Sequence, residues 1–297
     1  MTGIVCINKP EGITSFLAVN KSRRLFSEKK AGHTGTLDPM ATGVLPIFFG
    51  GTTRFIELIP SHDKGYKAKF ILGKTTDTLD ITGQVLSESE VTSSVSDVQN
   101  EIKNFIGEVQ QLPPMYSAIK KDGVRLYDLA RKGIEVEREK RTVTFYSIEM
   151  LGYDEKTAEF EIDVQCSSGT YIRTLIADVG ENLGCGAVMT SLERTSANGL
   201  NLSESYTFDQ LEEMKNNGTL GQAITPIENV INYPKITLSS AQSTRFFNGG
   251  EIDIVRIKGK YSDGLYNVYS DQEVFLGVGN LEHEKGNMKA KRVYIDR

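Results

Sequence analysis

Tryptophan is missing from this 297-residue chain, and cysteine and histidine occur only three times each. Cys6, Cys166 and Cys185 are odd in number, far apart and free of any CxxC spacing, which argues against a disulfide framework and against a cysteine-held zinc ion. His33, His62 and His283 are just as dispersed, so no metal site is expected. No apolar run approaches the roughly 18 residues of a membrane-crossing helix, and no signal-like segment opens at Met1. A cytoplasmic protein without a membrane partner is therefore expected. Gly73-Lys74-Thr75 resembles the end of a P-loop, but Ala68 stands where that motif needs a glycine, and the nucleotide site is excluded. An excess of positive charge is also lacking, the formal net charge being -5. Phosphate binding needs a local basic face rather than a basic total. Three runs supply candidates: Lys21 to Lys30, Arg138 to Arg141 and Lys289 to Arg292. Each reads equally as a solvated surface, so composition leaves RNA binding open.

What is present suffices for a substantial core, in one large unit plus a small one or in two domains. Residues 3–8 read as a buried strand and residues 9–12 as a tight turn. Thr14 or Ser15 then caps a helix to about Phe26, with Phe16, Val19, Leu25 and Phe26 as its apolar face. Thr52 or Thr53 caps a short helix containing Phe55, Ile56 and Ile59. A strand begins at Lys67, and Tyr66 shares a face with Ala68, Phe70 and Leu72, the pattern of an ordinary core-edge tyrosine. Ser96 and Gln99 form a capping-box pattern for an amphipathic helix to Ile106. Strands are expected over 142–150 and 158–165, and a helix around 127–131. A further helix, with stripe Ile172, Leu175, Ile176, Val179 and Leu183, ends at Gly184. Arg173 lies off that stripe in the first turn, the wrong end for the helix dipole. Either a compensating carboxylate or simple exposure accounts for it. From about Pro234 short alternating segments with Gly and Asn turns, including residues 246–250, suggest a small β-rich domain of about sixty residues.

The stretch Gly32 to Gly43, GHTGTLDPMATG, has neither helical nor strand period. It runs into the apolar segment 44–49, which reads as a buried strand, so the loop is anchored on the core. Asp38 precedes Pro39, which biases the aspartate towards extended backbone. Asp-Pro alone is an ordinary turn signal; a glycine-rich loop on a core strand is also where a preshaped site is built.

This loop closely resembles the catalytic loop of the TruB family of tRNA pseudouridine synthases, whose invariant aspartate falls on Asp38. Further matching blocks follow in order: NKPEGITS from Asn8, the D-K-x-Y context of Tyr66, TDTLDITG from Thr76, PPMYSAIKKDGVRLYDLAR from Pro113, and CSSGTYIR from Cys166. Together they span nearly all of residues 3–200. The resemblance implies a catalytic role for Asp38, stacking of Tyr66 on the target uracil, and Arg173 paired with the catalytic aspartate. It puts Leu192, within SLERT, in the uracil pocket, Tyr171 beside Arg173 among the substrate-binding residues, and His33 beside the flipped nucleotide or its phosphate. Lys9 and Asp80 are expected in supporting roles. The implied fold is α+β, a mixed α/β catalytic domain over residues 1–233 on a central, largely antiparallel sheet. A small PUA-like RNA-binding domain would occupy 234–297, although an accessory β-module without RNA contacts fits that texture too. The implied substrate is uridine 55 in the T-arm of tRNA, acted on by a monomer.

Pseudouridylation detaches uracil N1 from the ribose anomeric carbon, turns the base and rejoins that carbon to C5. It consumes no cofactor, and none is expected. It needs an ionised carboxylate at the sugar–base junction, and Arg173 is expected to lower the pKa of Asp38 by about 1–3 units. The chemical route stays open at this point: attack on the anomeric carbon, attack on C6, or removal of the ribose 2′ proton. Two other classes compete. A non-catalytic RNA-binding protein would not need Asp38, and an N-glycosidic hydrolase would release free uracil.

Overall fold

The computed structural model describes residues 2–295. A nine-stranded sheet organises the larger part of the chain. Its strands run in the order Gly3–Lys9, Thr42–Phe49, Ala187–Ala197, Lys64–Leu72, Glu159–Cys166, Arg141–Asp154, Gly107–Gln111. Ala31–His33 adds to the second of these and Leu200–Asn201 to the third. Every pairing is antiparallel except one: Thr42 and Gly43 run parallel to Glu193 and Arg194. The sheet is therefore largely antiparallel, as expected, and its one parallel junction lies where the glycine-rich loop ends. Gly43 sits at φ 98°, and a Cβ there would come within 2.2 Å of the Arg194 carbonyl oxygen. Only glycine lets these two backbones approach so closely.

Helix Ser15–Leu25 is capped by Thr14, whose hydroxyl accepts from Leu17 N–H. Its buried face is Ala18, Val19, Ser22 and Leu25, followed by Phe26. Phe16, assigned to that face from spacing, is instead 74% exposed. The box expected at Ser96 and Gln99 is formed two residues earlier, by Ser94 and Asp97, and starts helix Val95–Lys103. Val98, Ile102 and Phe105 pack inward as read, whereas Ile106 is exposed. The segment Gly50–Leu58 is a 3-10 helix with Thr52 inside it, donating to Phe49 and Gly3 carbonyls rather than capping the first turn. Helix Ile172–Asn182 buries its stripe on the sheet, and Gly184, at φ 76°, ends it.

A five-stranded sheet follows, ordered Lys235–Leu238, Gly264–Ser270, Phe275–Glu282, Asn287–Val293, Ile252–Asp253. Helix Ser240–Phe247 packs on it, so Phe246 and Phe247, read from sequence as part of an alternating segment, are helical. Phe246 is buried with Ile236, Leu238, Val268, Leu281 and Met288 in a core separate from that of the large sheet. The two parts meet in a third apolar cluster, where Phe55 packs against Phe275 and Tyr294 at centroid distances of 6.2 and 6.1 Å.

Candidate active site

A cavity of about 290 Å³ opens where the glycine-rich loop crosses the end of the sheet. Asp38, Tyr66, Tyr171, Arg173 and Leu192 all line it. Tyr66 comes from strand Lys64–Leu72, Leu192 from Ala187–Ala197, and Tyr171 caps the N-terminus of helix Ile172–Asn182. Residues separated by more than 150 positions thus share one wall. The tyrosine at 66 is both a core-edge residue, 7% exposed, and a cavity residue.

Arg173 is buried, which settles the choice between exposure and a compensating carboxylate. Its Nε stands 3.0 Å from Asp38 Oδ2, and Nη2 donates to Oδ1 at 3.3 Å. Nη1 faces Asp80 Oδ2 at 3.6 Å and donates to the Thr78 carbonyl at 2.8 Å, while Nη2 also donates to the Tyr116 carbonyl at 2.8 Å. Asp80 is itself held by Thr78 and Thr82: its Oδ1 accepts from both hydroxyls, at 2.9 and 2.6 Å, and from Thr82 N–H at 3.0 Å. The turn carrying it is pinned to the sheet through Ile81 N–H and the Met189 carbonyl at 2.8 Å. Leu79 adopts φ 64° to make that turn, a conformation costly for a branched side chain and one the surrounding bonds impose.

Lys9 lies beneath the loop, fully buried. Its Nζ donates to the carbonyls of Pro10 and Ile13 at 2.8 and 2.9 Å and of Pro39 at 3.3 Å. The chain entering the first helix is thereby tied to the residue after Asp38. Burial brings the Lys9 ammonium down to about 8, with Asp38 opposing that fall. His33 stands on the adjacent strand Ala31–His33 and is absent from the cavity lining. Its Nδ1 accepts from Gly35 N–H at 3.2 Å, an orienting partner that sequence alone does not reveal. Burial and the nearby Arg194 cation lower its pKa, favouring the neutral ring.

The direction at Asp38 is upward rather than the expected lowering, with the side chain still 34% exposed to the cavity. Burial at the cavity floor raises its carboxyl above the ordinary value and outweighs the pull of Arg173; Asp80 adds to the rise and Lys9 opposes it. The Tyr66 hydroxyl is pushed up to about 12 by burial. Among the described residues, no group of three His, Cys, Asp or Glu side chains is placed to hold a metal ion.

Three contributors were not singled out from the sequence. Gln111 exchanges two hydrogen bonds with the Tyr171 backbone, at 2.8 and 3.0 Å, and so positions the start of the Arg173 helix. Lys64 lines the cavity, and Arg194, 1% exposed, lies behind the glycine-rich loop. Lys64 sits inside the D-K-x-Y context and Arg194 inside SLERT, but neither segment has a period that marks its cation as inward-facing.

Comparison with known proteins gives the family and the fold. The family model for the TruB family pseudouridylate synthase N-terminal domain matches residues 23–172. The tRNA pseudouridylate synthase B C-terminal domain matches 173–232, and the C-terminal model of pseudouridine synthase II TruB matches 234–294. A tRNA pseudouridine synthase B of Dehalococcoides mccartyi is 43% identical, covering 99% of this chain and 97% of that protein. Those of Clostridium acetobutylicum and Pseudomonas fluorescens are 42% and 40% identical, covering 96% and 99% of this chain and 97% and 95% of theirs. Among solved structures, a chain of a Cbf5-Nop10-Gar1 complex superposes with TM-score 0.72 at 25% identity, over 100% of this chain and 84% of that one. A chain of an H/ACA RNP bound to a substrate RNA has the same fold, with TM-score 0.73 at 23% identity, over 100% and 86%. No helix among the described residues is long and apolar enough to cross a membrane. The chain belongs to the TruB family of pseudouridylate synthases and is an isomerase.

Proposed function

We propose that this enzyme converts uridine 55 in the T-arm of tRNA to pseudouridine, with Asp38 as the catalytic carboxylate and no cofactor. The observation that carries this reading is Asp38 held by Arg173 on the floor of a cavity walled by Tyr66, Tyr171 and Leu192. At about 290 Å³ the cavity is small for a ligand pocket and suits one extruded base rather than a helix. Extruding the uridine costs a few kcal/mol. Stacking on Tyr66 offsets this by roughly 1–3 kcal/mol, and Leu192 packs on the same base. In this reading His33, which precedes Thr34 of the lining, contacts the backbone of that nucleotide.

In the reaction the bond from C1′ to N1 breaks and the bond from C1′ to C5 forms. The C5 hydrogen leaves to solvent and N1 gains a proton, so nothing is lost from the product. Asp38 acts at the sugar–base junction, and Arg173 favours its ionised form against the cost of burial. Asp80 and Lys9 support, respectively, the guanidinium and the Asp38-Pro39 backbone. We assign the catalytic role to residues 1–233 and a PUA-like RNA-binding role to 234–297, in a cytoplasmic monomer.

The test is tritium release from a T-arm hairpin labelled at uracil C5. Release by the wild type, lost in a folded and RNA-binding Asp38→Ala variant, is the expected result. No release from hairpin or full-length tRNA overturns the substrate assignment. Free uracil among the products would make the enzyme a hydrolase instead.

A further inference from the structure

Arg173 has two carboxylates, but the second buried arginine of the site has none among the described residues. Arg194 Nε donates to the Val44 carbonyl at 2.6 Å and Nη2 to the Gly35 carbonyl at 3.2 Å, which ties together the two ends of the segment carrying Asp38. Its Nη1 is buried and has no hydrogen-bond partner, and among the described residues no carboxylate lies within ion-pair distance. Lys64, half-buried on the cavity wall, is also without an ion pair among the described residues: its ammonium donates only a long hydrogen bond, 3.4 Å, to the His62 carbonyl. The two cations converge on Gly35. The point where a Cβ of that residue would stand is 3.4 Å from Arg194 Nη1, 3.7 Å from Lys64 Nζ and 3.1 Å from Lys64 Cε.

Two like charges held together in a partly desolvated place, with a donor uncommitted, are unfavourable until an anion arrives. Burial and the neighbouring Arg194 lower the Lys64 pKa, with Cys166 and the adjacent Asp63 opposing that fall. Gly35 and Lys64 border the same cavity that has Asp38 on its floor. An anion bound there belongs to whatever delivers the base into the cavity. We propose that Lys64, backed by Arg194 across Gly35, forms a subsite for a single backbone phosphodiester of the RNA next to the nucleotide being modified. Lys64 Nζ makes the contact, and Arg194 raises the local positive potential from behind. The subsite rests on the RNA-modifying function proposed above.

The test uses hairpins in which one linkage at a time near the target is a neutral methylphosphonate. Each carries a 2′-O-methyl group on the preceding nucleoside for chemical stability and is compared with its matched phosphate control. Binding is titrated for the wild type, Lys64→Met and Gly35→Ala. One linkage is expected at which neutralisation weakens wild-type binding about tenfold, the size of one charge-assisted hydrogen bond. Lys64→Met should bind the phosphate and methylphosphonate forms of that linkage equally. Gly35→Ala, whose methyl group would crowd Lys64 Cε at 3.1 Å, should reduce that discrimination by displacing the ammonium. If Lys64→Met still discriminates at every linkage as the wild type does, or if no linkage matters, the subsite is wrong. Tritium release from the unmodified hairpin separates the two claims: release without coupling refutes the subsite alone, and no release refutes the function reading.

Discussion

Arg173 grips Asp38 with two nitrogens of one guanidinium, at 3.0 and 3.3 Å, while the remaining edge of the same group is held by Asp80 and two backbone carbonyls. The plane of the guanidinium is thus determined before any substrate enters. Preorganisation of this kind stabilises developing charge without reorganisation during the reaction.

Replacing Arg173 by lysine keeps a charge but loses the planar fork that reaches both carboxylates. We expect Arg173→Lys to lower kcat about 100-fold, the effect of a misplaced catalytic group, with RNA affinity within a few-fold of wild type. Single-turnover rates and RNA titration check this; equal losses in both would place Arg173 in binding instead. Arg173→Met leaves the buried Asp80 uncompensated and should cost about 3–5 kcal/mol of stability in urea unfolding.

The raised pKa of Asp38 has a definite sign in a pH experiment. Its ionised form is the reactive one, so the acid limb of kcat should lie above the ordinary aspartate value of 3.8. In folding, a raised native pKa means that the folded state binds the proton more tightly than the unfolded one. Asp38 therefore favours the fold below its unfolded pKa, and that contribution is lost as pH rises through the native value. Asp38→Asn should accordingly melt higher than wild type at pH 7, and the difference should shrink near pH 4. A variant melting lower at pH 7 would show that the Arg173 pair outweighs burial.

Two glycines of the loop region separate close approach from backbone conformation. Gly43 and Gly12 both have positive φ, 98° and 83°, but a Cβ at Gly43 meets the Arg194 backbone at 2.2 Å, whereas one at Gly12 meets nothing within 4 Å. Gly12→Ala should cost about 1 kcal/mol of unfolding free energy, the strain of its φ alone. Gly43→Ala should cost more than about 3 kcal/mol, because the parallel junction must open as well. Similar losses at the two positions would show that the junction yields easily.

The convergence of Asp38, Tyr66, Tyr171, Arg173 and Leu192 on one cavity was legible through the family resemblance, because each sits in a contiguous block whose order of residue types is rare. Lys64 and Arg194 sit in equally short blocks but carry no local signal of burial, since a lysine and an arginine read locally as solvated. Phe16 failed in the opposite direction: apolar character and near-helical spacing put it on the buried face, but the helix turns its Ala18, Val19 and Ser22 side to the core. The capping box was displaced for a related reason. Ser94 and Ser96 both suit a cap, and only Ser94 has an acid three residues on to answer it, in Asp97.

By itself the sequence determined the clearest strands and helices between Gly3 and Gly184, the glycine-rich loop with Asp38, and the family resemblance, because these depend on local pattern and on short ordered motifs; the central strand Ala187–Ala197 and helix Ser240–Phe247 were not among them. Tertiary structure alone decided the electrostatics. The sheet register sets Arg194 against Gly43, and the turn at Asp80 docks on Met189 beneath Arg173. Burial then raises Asp38 against its own counter-ion, and Arg194 and Lys64 have no ion-paired carboxylate among the described residues. Charge energies in a folded protein depend on distance and desolvation, and neither exists until residues far apart in the chain are brought together.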